Sequence, residues 1–444
     1  MRVVFLFGRD LRLQDNEALS YAATIASELL PLYVLPRDFD TLFPIRQHSL
    51  IESLRSLSAT LPKGLEISSS PLAATFDGIG GIDKVVATRA FDTQGMLFQA
   101  DLAQELFDRG IALELVGSNY AVTPGTIVKD DGTPLKVYTP FYKRWLLQGW
   151  DDPFTLDVAK VNWLPPRQTE LPKPTAAASI VIRAGEAYAL QTFKRFRARA
   201  LSDYSENRNR PDLSGTSHLS HALAHGEIHP RTLLQQLGNL EGEEVFRKEI
   251  AWREFYADVL YRNPHTLDDY FEPRFANMRY ADPVEDLEKL EAWKLGKTGY
   301  PIVDAAMRQL NQTGWMHNRS RMIVASFLVK DLHFEWQIGA RYFEQQLTDF
   351  DPASNSHGWQ WTAGCGTDAS PYYRVFNPIL QGTKFDPNGD YVRKFVPELA
   401  HIEGPSIHEP WELIDGYVNG YPDRIIDHSQ ERDEALARLA EIKK

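Results

Sequence analysis

The chain opens with Arg2-Val3-Val4-Phe5-Leu6-Phe7-Gly8-Arg9-Asp10, in which residues 3–7 form a short apolar run. Similar runs follow at residues 30–35, 65–69, 84–88 and 112–116. Helical patterns lie between most of them, at residues 16–25, 47–59 and 98–108. Short apolar runs that alternate with helices are typical of parallel strands joined by crossovers. We therefore predict an α/β domain with a doubly wound parallel sheet over residues 1–130.

A dinucleotide-binding fingerprint would follow the first strand of such a sheet. The sequence there is Gly8-Arg9-Asp10-Leu11-Arg12-Leu13, which lacks the required glycine spacing. The cluster Gly78-Ile79-Gly80-Gly81 precedes a predicted strand and is interpreted as a turn. The sequence thus gives little support to hydride transfer from NAD.

The sequence after the predicted sheet is first rich in proline and then shows helical patterns. Residues 131–184 are predicted to be an interdomain linker, because prolines between residues 153 and 174 leave little room for helix. Amphipathic helical patterns follow at residues 190–204, 232–240, 244–262, 300–313, 320–332 and 336–347. Residues 185–444 are therefore predicted to form an all-helical domain.

Bulk composition limits the classes of function. The net charge of −12 argues against a protein that coats nucleic acid non-specifically, although it allows a local basic groove. A single cysteine, Cys365, excludes an internal disulfide framework and suits a reducing cytoplasm, where we expect the protein. No apolar run is long enough to span a bilayer, and no metal-ligand motif or nucleophile triad is found.

Amide, guanidinium, thioether and indole groups are concentrated around Asn318-Arg319-Ser320-Arg321-Met322 and the tryptophans that follow. Asn318 and Met322 are spaced i, i+4 and share a helical face, whereas the two arginines point elsewhere. A buried guanidinium without a partner would be costly, so we predict an ion pair between Arg321 and Asp349. Trp359 and Trp361 stand two residues apart and should serve different surfaces.

Two further segments could bind a ligand. Glu249, Trp252 and Tyr256 lie on one helical face, where a carboxylate and an indole can hold a flat ligand by its edge and its face. The segment Thr216-Ser217-His218-Leu219-Ser220 offers hydroxyls and backbone N–H groups to a phosphate at a helix start. An ordinary core helix and an ordinary helix cap are the alternatives.

At these motifs the sequence closely resembles the photolyase/cryptochrome flavoproteins, and among them the class I-type DNA photolyases that repair cyclobutane pyrimidine dimers. The similarity covers almost the whole chain. The motifs that carry it are Gly8-Arg9-Asp10-Leu11-Arg12, Val137-Tyr138-Thr139-Pro140-Phe141, residues 298–310, residues 318–336, Gly358-Trp359-Gln360-Trp361 and Arg374-Val375-Phe376-Asn377-Pro378.

The resemblance implies that the helical domain binds FAD, which is active as FADH⁻. The implied FAD contacts are Tyr204, Thr216, Ser217, His218, Leu219, Ser220, Arg321, Asp349, Phe350, Asp351 and Asn355. Asn355 would face the flavin, with asparagine the usual photolyase residue there. A folate or deazaflavin antenna can accompany FAD in this family, but residues 91–104 lack the arginine- and asparagine-rich pattern of many relatives, so the sequence leaves this second chromophore open.

The resemblance also implies a DNA partner, UV-damaged DNA with the pyrimidine dimer flipped out of the helix, and a monomeric enzyme. The cavity for the dimer would be lined by Glu249, Trp252, Asn318, Met322 and Trp361. Glu249, Asn318, Met322 and Asn355 are the implied catalytic residues. The DNA backbone would be contacted by Arg208, Arg319, Arg374 and Gln381. Flipping costs a few kcal/mol, and stacking on indoles offsets part of it at about 1–3 kcal/mol per base.

Trp359 and Trp336 would begin a chain that carries electrons inward to photoreduce the flavin. Relatives complete this chain with a third tryptophan before Trp293, but Pro283 stands at the aligned position and Tyr280 is nearby. The alternatives to dimer repair are a blue-light cryptochrome photoreceptor, a (6-4) photoproduct photolyase and an FAD-binding DNA protein without photochemistry. A (6-4) enzyme would place histidine where this chain has Asn318.

Overall fold

The computed structural model describes residues 1–173, 182–368 and 373–442. Spatial contacts divide the chain into two compact units, each built from two stretches of sequence. The first unit comprises Met1–Ser202 and Ser217–Pro264, and the second comprises Asp203–Thr216 and His265–Lys444. The boundaries predicted at residues 130 and 184 rest on composition and stay a prediction.

The predicted parallel sheet is confirmed in the first unit. Its strands are β1 (Arg2–Phe7), β2 (Glu28–Val34), β3 (Glu66–Ser68), β4 (Lys84–Thr88) and β5 (Ala112–Val116). They pair in parallel in the order β3-β2-β1-β4-β5. Val4 pairs with Leu30 on one side and Val85 on the other, and all three are buried, as expected of a sheet covered on both faces.

Helices make up most of the remaining regular structure. They are α1 (Glu17–Ile25), α2 (Pro44–Thr60), α3 (Leu72–Ile79), α4 (Thr93–Phe107), α5 (Tyr138–Gln148), α6 (Glu186–Arg199), α7 (Tyr204–Asn207), α8 (Ser220–His225), α9 (Pro230–Leu234), α10 (Glu241–Arg262), α11 (Leu287–Leu295), α12 (Pro301–Thr313), α13 (Asn318–Ser326), α14 (Trp336–Gln346), α15 (Pro352–Ala363), α16 (Pro378–Phe385), α17 (Asp390–Phe395) and α18 (His428–Glu441). Among the described residues, none of these helices combines the length and the apolar character needed to cross a membrane.

Several predicted helices begin or end at other residues in the structure, and two of them differ most. The helix predicted over residues 232–240 is the short α9, and the turn-favouring Gly238 and Asn239 lie beyond its end. The helix predicted over residues 320–332 changes form, because α13 ends at Ser326 and Phe327–Asp331 is a π-helical segment. Such segments are often found at functional sites. In addition, α5 lies within the segment predicted as a linker.

The core of the second unit is aromatic. Trp293, Tyr300, Phe327 and Trp336 are among its fully buried side chains, and they are packed between α11, α12, the π-helical segment and α14. Gly339 in α14 lies against the indole of Trp359 in α15, where an added Cβ would be 2.1 Å from the ring. This close contact fixes how α14 and α15 pack, and it holds Trp359 in the core.

Candidate functional site

An ion pair between Arg321 and Asp349 lies in the second unit. Nη2 of Arg321 donates to Oδ2 of Asp349 at 2.7 Å, and its Nε donates to the Met316 carbonyl oxygen at 2.9 Å. The Asp349 side chain is 1% exposed and that of Arg321 is 27% exposed. The predicted ion pair is therefore confirmed.

The other carboxylate oxygen of Asp349, Oδ1, is buried and accepts no hydrogen bond from any residue that the structure describes. A buried acceptor without a donor is costly, so a ligand O–H or N–H fits beside it. Asp351 caps α15 by accepting from the Ser354 N–H at 2.9 Å. Asn355, one turn into α15, donates to the Ala340 carbonyl oxygen at 3.1 Å. The donors and acceptors of this region therefore fit a flavin nucleotide.

The two predicted electron carriers are buried in the same unit. Trp359 is 3% exposed and Trp336 is 1% exposed. Both indole N–H groups are buried without an acceptor in the described part of the chain. The ring of Trp359 lies 6.2 Å from that of Trp293 and 5.0 Å from that of Phe343, measured between centroids. These indoles are thus shielded from water and packed among other aromatic rings.

The predicted lesion-facing residues of the second unit lie on two helices. Asn318 is exposed at the start of α13, and Met322 follows one turn later and is half-buried. Trp361 in α15 is half-buried, and its Nε1 donates to the Asp368 carbonyl oxygen at 3.1 Å. Each side chain therefore keeps exposed surface that a base could contact.

Two of the arginines predicted to contact DNA lie over aromatic rings. Arg319 donates to Oδ1 of Asn209 at 2.7 Å and lies over the ring of Phe385 at 4.5 Å. Arg208 lies over the ring of Tyr204 at 5.9 Å. Each guanidinium is oriented by a neighbouring aromatic ring.

Arg374 and Gln381 line one surface hollow of about 470 Å³. The backbone of Arg374 is held by Lys330 of the π-helical segment, whose Nζ donates to the Arg374 carbonyl oxygen at 2.6 Å. Burial lowers the pKa of Lys330 to about 7. The π-helical segment thus connects the core of the second unit to a predicted DNA contact.

Two of the residues predicted to line the lesion cavity, Glu249 and Trp252, lie on α10 of the first unit. The ring of Trp252 stacks on Tyr138, with centroids 3.7 Å apart and planes 7° apart, which covers one face of the indole. Glu249 precedes it on the same helix and is half-buried. Because Asn318, Met322 and Trp361 belong to the second unit, the assembly of all five residues into one cavity stays a prediction.

The predicted phosphate-binding segment precedes a short helix. Ser217, His218, Leu219 and Ser220 lie in the first unit, and Thr216 ends a stretch of the second. Helix α8 begins at Ser220 and has six residues. His218 has a φ of 53°, a left-handed conformation that is uncommon outside glycine.

Two other predicted FAD contacts, Tyr204 and Phe350, lie in the second unit. Tyr204 is buried, and Phe350 packs against the core of that unit.

A cavity of about 690 Å³ lies within the first unit, at the carboxyl ends of its strands. It opens where the strand order reverses between β1 and β4, the usual ligand position in such sheets. Its aromatic lining includes Tyr33, Phe91, Phe98 and Tyr120. The Asp10 carboxylate accepts hydrogen bonds from the Gly8 N–H at 2.7 Å and from the Thr88 hydroxyl at 2.7 Å. A carboxylate therefore follows the first strand, at the position where dinucleotide-binding sheets hold a phosphate.

The sequence patterns did not single out two neighbours of Trp336. Tyr270 lies edge-on to its ring at a centroid distance of 6.3 Å, and the Tyr270 hydroxyl donates to Oε1 of Glu335 at 3.2 Å. The only available signal was that Glu335 directly precedes Trp336 in the sequence. Within residues 1–173, 182–368 and 373–442, no group of three or more His, Cys, Asp or Glu side chains is placed to hold a metal ion.

Comparisons with known proteins agree with this architecture. Residues 3–159 match the family model described as DNA photolyase, and residues 246–441 match the FAD binding domain of DNA photolyase. The deoxyribodipyrimidine photo-lyase of Agrobacterium fabrum is 38% identical, with 100% of this chain and 98% of the relative covered.

Two solved structures are also similar. A bacterial class III photolyase from Agrobacterium tumefaciens has a TM-score of 0.87 and 36% identity, over 100% of this chain and 98% of that one. An archaeal photolyase from Sulfolobus tokodaii, solved with two FAD molecules, has a TM-score of 0.87 and 28% identity, over 99% of this chain and 100% of that one. The chain belongs to the DNA photolyase family and carries its FAD-binding domain. Its assignment to the class I-type subgroup stays a prediction.

Proposed function

We propose that this protein is a light-driven enzyme that splits cyclobutane pyrimidine dimers in DNA. The similarity to deoxyribodipyrimidine photo-lyases over the full length of the chain carries the proposal. The ion pair of Arg321 with Asp349, and the buried Oδ1 of Asp349 that can accept from a ligand, support it at the cofactor site. When bound, reduced FAD supplies in its light-excited state the electron that opens the cyclobutane ring.

The side chains of this protein bind and orient the substrate. Trp252 and Trp361 stack on the flipped bases, and Tyr138 holds the Trp252 ring in place beforehand. Glu249 and Asn318 form hydrogen bonds with the base edges, while Met322 provides apolar contact. Asn355 and Asp349 hold the cofactor. Arg208, Arg319, Arg374 and Gln381 contact the DNA backbone, which positions the duplex without reading its sequence.

Illumination of the purified protein with chemically reduced flavin and an oligonucleotide that contains a thymine dimer tests the function. We expect the thymine absorbance to return in blue or near-UV light and to stay constant in the dark. An undamaged oligonucleotide is the matched control. If no thymine absorbance returns although FAD is bound and damaged DNA binds, repair is rejected in favour of a photoreceptor role.

We also propose that the protein is a monomer and that it is located in the cytoplasm. Sedimentation of the same sample tests the oligomeric state. Cell fractionation tests the location.

A second chromophore in the first unit is also proposed, in the cavity at the carboxyl ends of the strands. Its volume of about 690 Å³ and its aromatic lining suit a planar ring system, and the archaeal relative was solved with two FAD molecules. Residues of α4, among them Phe98 and Gln99, form part of its wall. Absorption spectra after separate incubation with a folate, a deazaflavin and excess FAD test this proposal. A stoichiometry that stays at one chromophore per chain in every case contradicts it.

A further inference from the structure

Tyr270 connects the buried Trp336 to a carboxylate and to a more exposed tyrosine. It is 4% exposed, and its ring lies 6.3 Å from that of Trp336. Its hydroxyl donates to Oε1 of Glu335 at 3.2 Å. On another side, the ring of Tyr280 stacks 6.3 Å away with planes 18° apart, and Tyr280 is half-buried. The three rings therefore form a continuous path from the core of the second unit towards its surface.

The hydrogen bonds of these residues determine what happens when one of them loses an electron. The indole N–H of Trp336 is buried and meets no acceptor in the described part of the chain, so an oxidised Trp336 keeps its proton and stays a strong oxidant. An oxidised tyrosine must lose its phenolic proton, because the phenol radical cation is a very strong acid. Burial raises the pKa of Tyr270, so its phenol is protonated at rest. The Glu335 carboxylate can accept that proton.

We propose that Tyr270 and Glu335 together donate an electron to photo-oxidised Trp336, with Glu335 taking the proton. One electron passes from Tyr270 to the Trp336 radical cation, the Tyr270 O–H bond breaks, and its proton moves to Glu335. The products are neutral Trp336, a neutral Tyr270 radical and protonated Glu335. Tyr280 then passes a hydrogen atom to Tyr270. A thiol in solution passes a hydrogen atom to Tyr280, which restores the phenol and leaves a thiyl radical, while Glu335 releases its proton to the solvent.

This inference rests on the proposed function in one respect. It requires that Trp336 be oxidised through Trp359, which is the role in photoreduction of the flavin that the resemblance implies for these two tryptophans. The structure adds the donor beyond Trp336 and the base that makes the transfer effectively irreversible, because return of the electron would require the proton to return as well. Tyr270 acts as a redox carrier and Glu335 as a proton acceptor.

Tyr342 provides a matched comparison within the same unit. Trp359 contacts Trp293 at a centroid distance of 6.2 Å, and Trp293 contacts Tyr342 at 5.7 Å. The Tyr342 hydroxyl donates to the amide oxygen of Asn311 at 2.7 Å. Its other acceptor is the Lys294 carbonyl oxygen at 3.3 Å. Neither oxygen takes up a proton at neutral pH, so Tyr342 lies near the path of oxidised tryptophans but, among the described residues, its hydroxyl donates to no carboxylate. It should not form a radical.

Transient absorption and electron paramagnetic resonance of the flavin-loaded protein, with oxidised flavin and no DNA, test the inference. We expect a tyrosyl radical after a light flash, with slower formation in D₂O. Tyr270→Phe should abolish the signal. Glu335→Gln should slow radical formation by about a hundredfold, the lower end of what a positioned proton acceptor contributes. Tyr342→Phe should leave the signal unchanged.

Several results would overturn the inference. A tyrosyl signal that persists in Tyr270→Phe, or one that disappears in Tyr342→Phe, assigns the radical elsewhere. Formation at the original rate in Glu335→Gln removes Glu335 as the acceptor, and this variant also decides the matter if Tyr270→Phe fails to fold. A signal that survives Trp359→Phe rejects the path through Trp336. Repair by chemically reduced protein needs no oxidised tryptophan, so loss of repair with an intact radical signal rejects the proposed function and not this inference.

Discussion

Arg319 and Arg321 stand two residues apart on α13 and meet different groups. Arg321 turns towards Asp349 in the interior, whereas Arg319 is held by Asn209 and the ring of Phe385. The helix explains this difference, because positions two apart point about 200° from each other around its axis. One arginine can therefore serve the cofactor while the other faces DNA.

Trp361 allows a direct test of lesion stacking. Replacing it with alanine should weaken binding to dimer-containing DNA by about 1–3 kcal/mol, the contribution of one stacked base. Trp361→Phe keeps an aromatic face and should lose less. Fluorescence anisotropy with damaged and undamaged duplexes measures both effects. Unchanged affinity in the alanine variant would place Trp361 outside the lesion site.

His357 in α15 should make stability depend on pH. It is 1% exposed, and burial lowers its pKa to about 3. In the unfolded chain the histidine has its ordinary pKa of about 6.5, so below that pH the unfolded chain binds a proton that the folded chain does not. The free energy of unfolding therefore falls as the pH drops below about 6.5, by up to about 1.4 kcal/mol per pH unit. His357→Gln should reduce this slope in urea unfolding between about pH 5 and 6.5. Exposed His265→Gln is the control, and equal slopes in both variants would contradict the prediction.

At the level of elements, the packing of α14 against α15 depends on one glycine. A Cβ at Gly339 would lie 2.1 Å from Cη2 of Trp359 and 2.6 Å from Cδ2 of Leu328. Gly339→Ala should therefore destabilise the protein by about 1–3 kcal/mol, as overpacked cores do. A Cβ at Gly358 in α15 would have no heavy atom of another described residue outside its own helix backbone within 4 Å. Gly358→Ala should accordingly be neutral or stabilise by up to about 1 kcal/mol.

Denaturant unfolding of both glycine variants, with bound flavin measured in each, separates packing from helix propensity. If Gly339→Ala is as stable as the original protein, α14 and α15 do not pack as the structure shows. A destabilised Gly358→Ala variant would instead mean that the open space beside Gly358 is filled in solution.

The whole molecule carries a net charge of −12, yet its proposed DNA contacts include Arg208, Arg319 and Arg374. Each phosphate contact releases counterions, so the affinity for damaged duplex should fall with log salt concentration, at a slope of about −3 for three contacts. Arg374→Ala should reduce the slope by about 1. Arg55→Ala on α2 is the control for general charge effects. A slope near zero for the original protein would contradict backbone contact.

Local patterns predicted the strands of the sheet better than the ends of the helices. The strands β4 and β5 have the predicted bounds, since alternation and β-branched composition act within a few residues. Helix ends were less predictable, as at α9, because they depend on packing and capping rather than on periodicity. The π-helical segment has no sequence signal, because its residues also read as an ordinary amphipathic helix.

By itself, the sequence determined the parallel α/β fold, the helical texture after residue 185, the ion pair of Arg321 with Asp349 and, through its motifs, the family. Only the tertiary structure placed Tyr270 against Trp336 and Glu335, the second of which is 65 residues away from it in the chain. It alone formed the cavity at the carboxyl ends of the strands. The physical reason is that periodicity records geometry within a few turns or strand residues, whereas such contacts depend on the path of the whole chain.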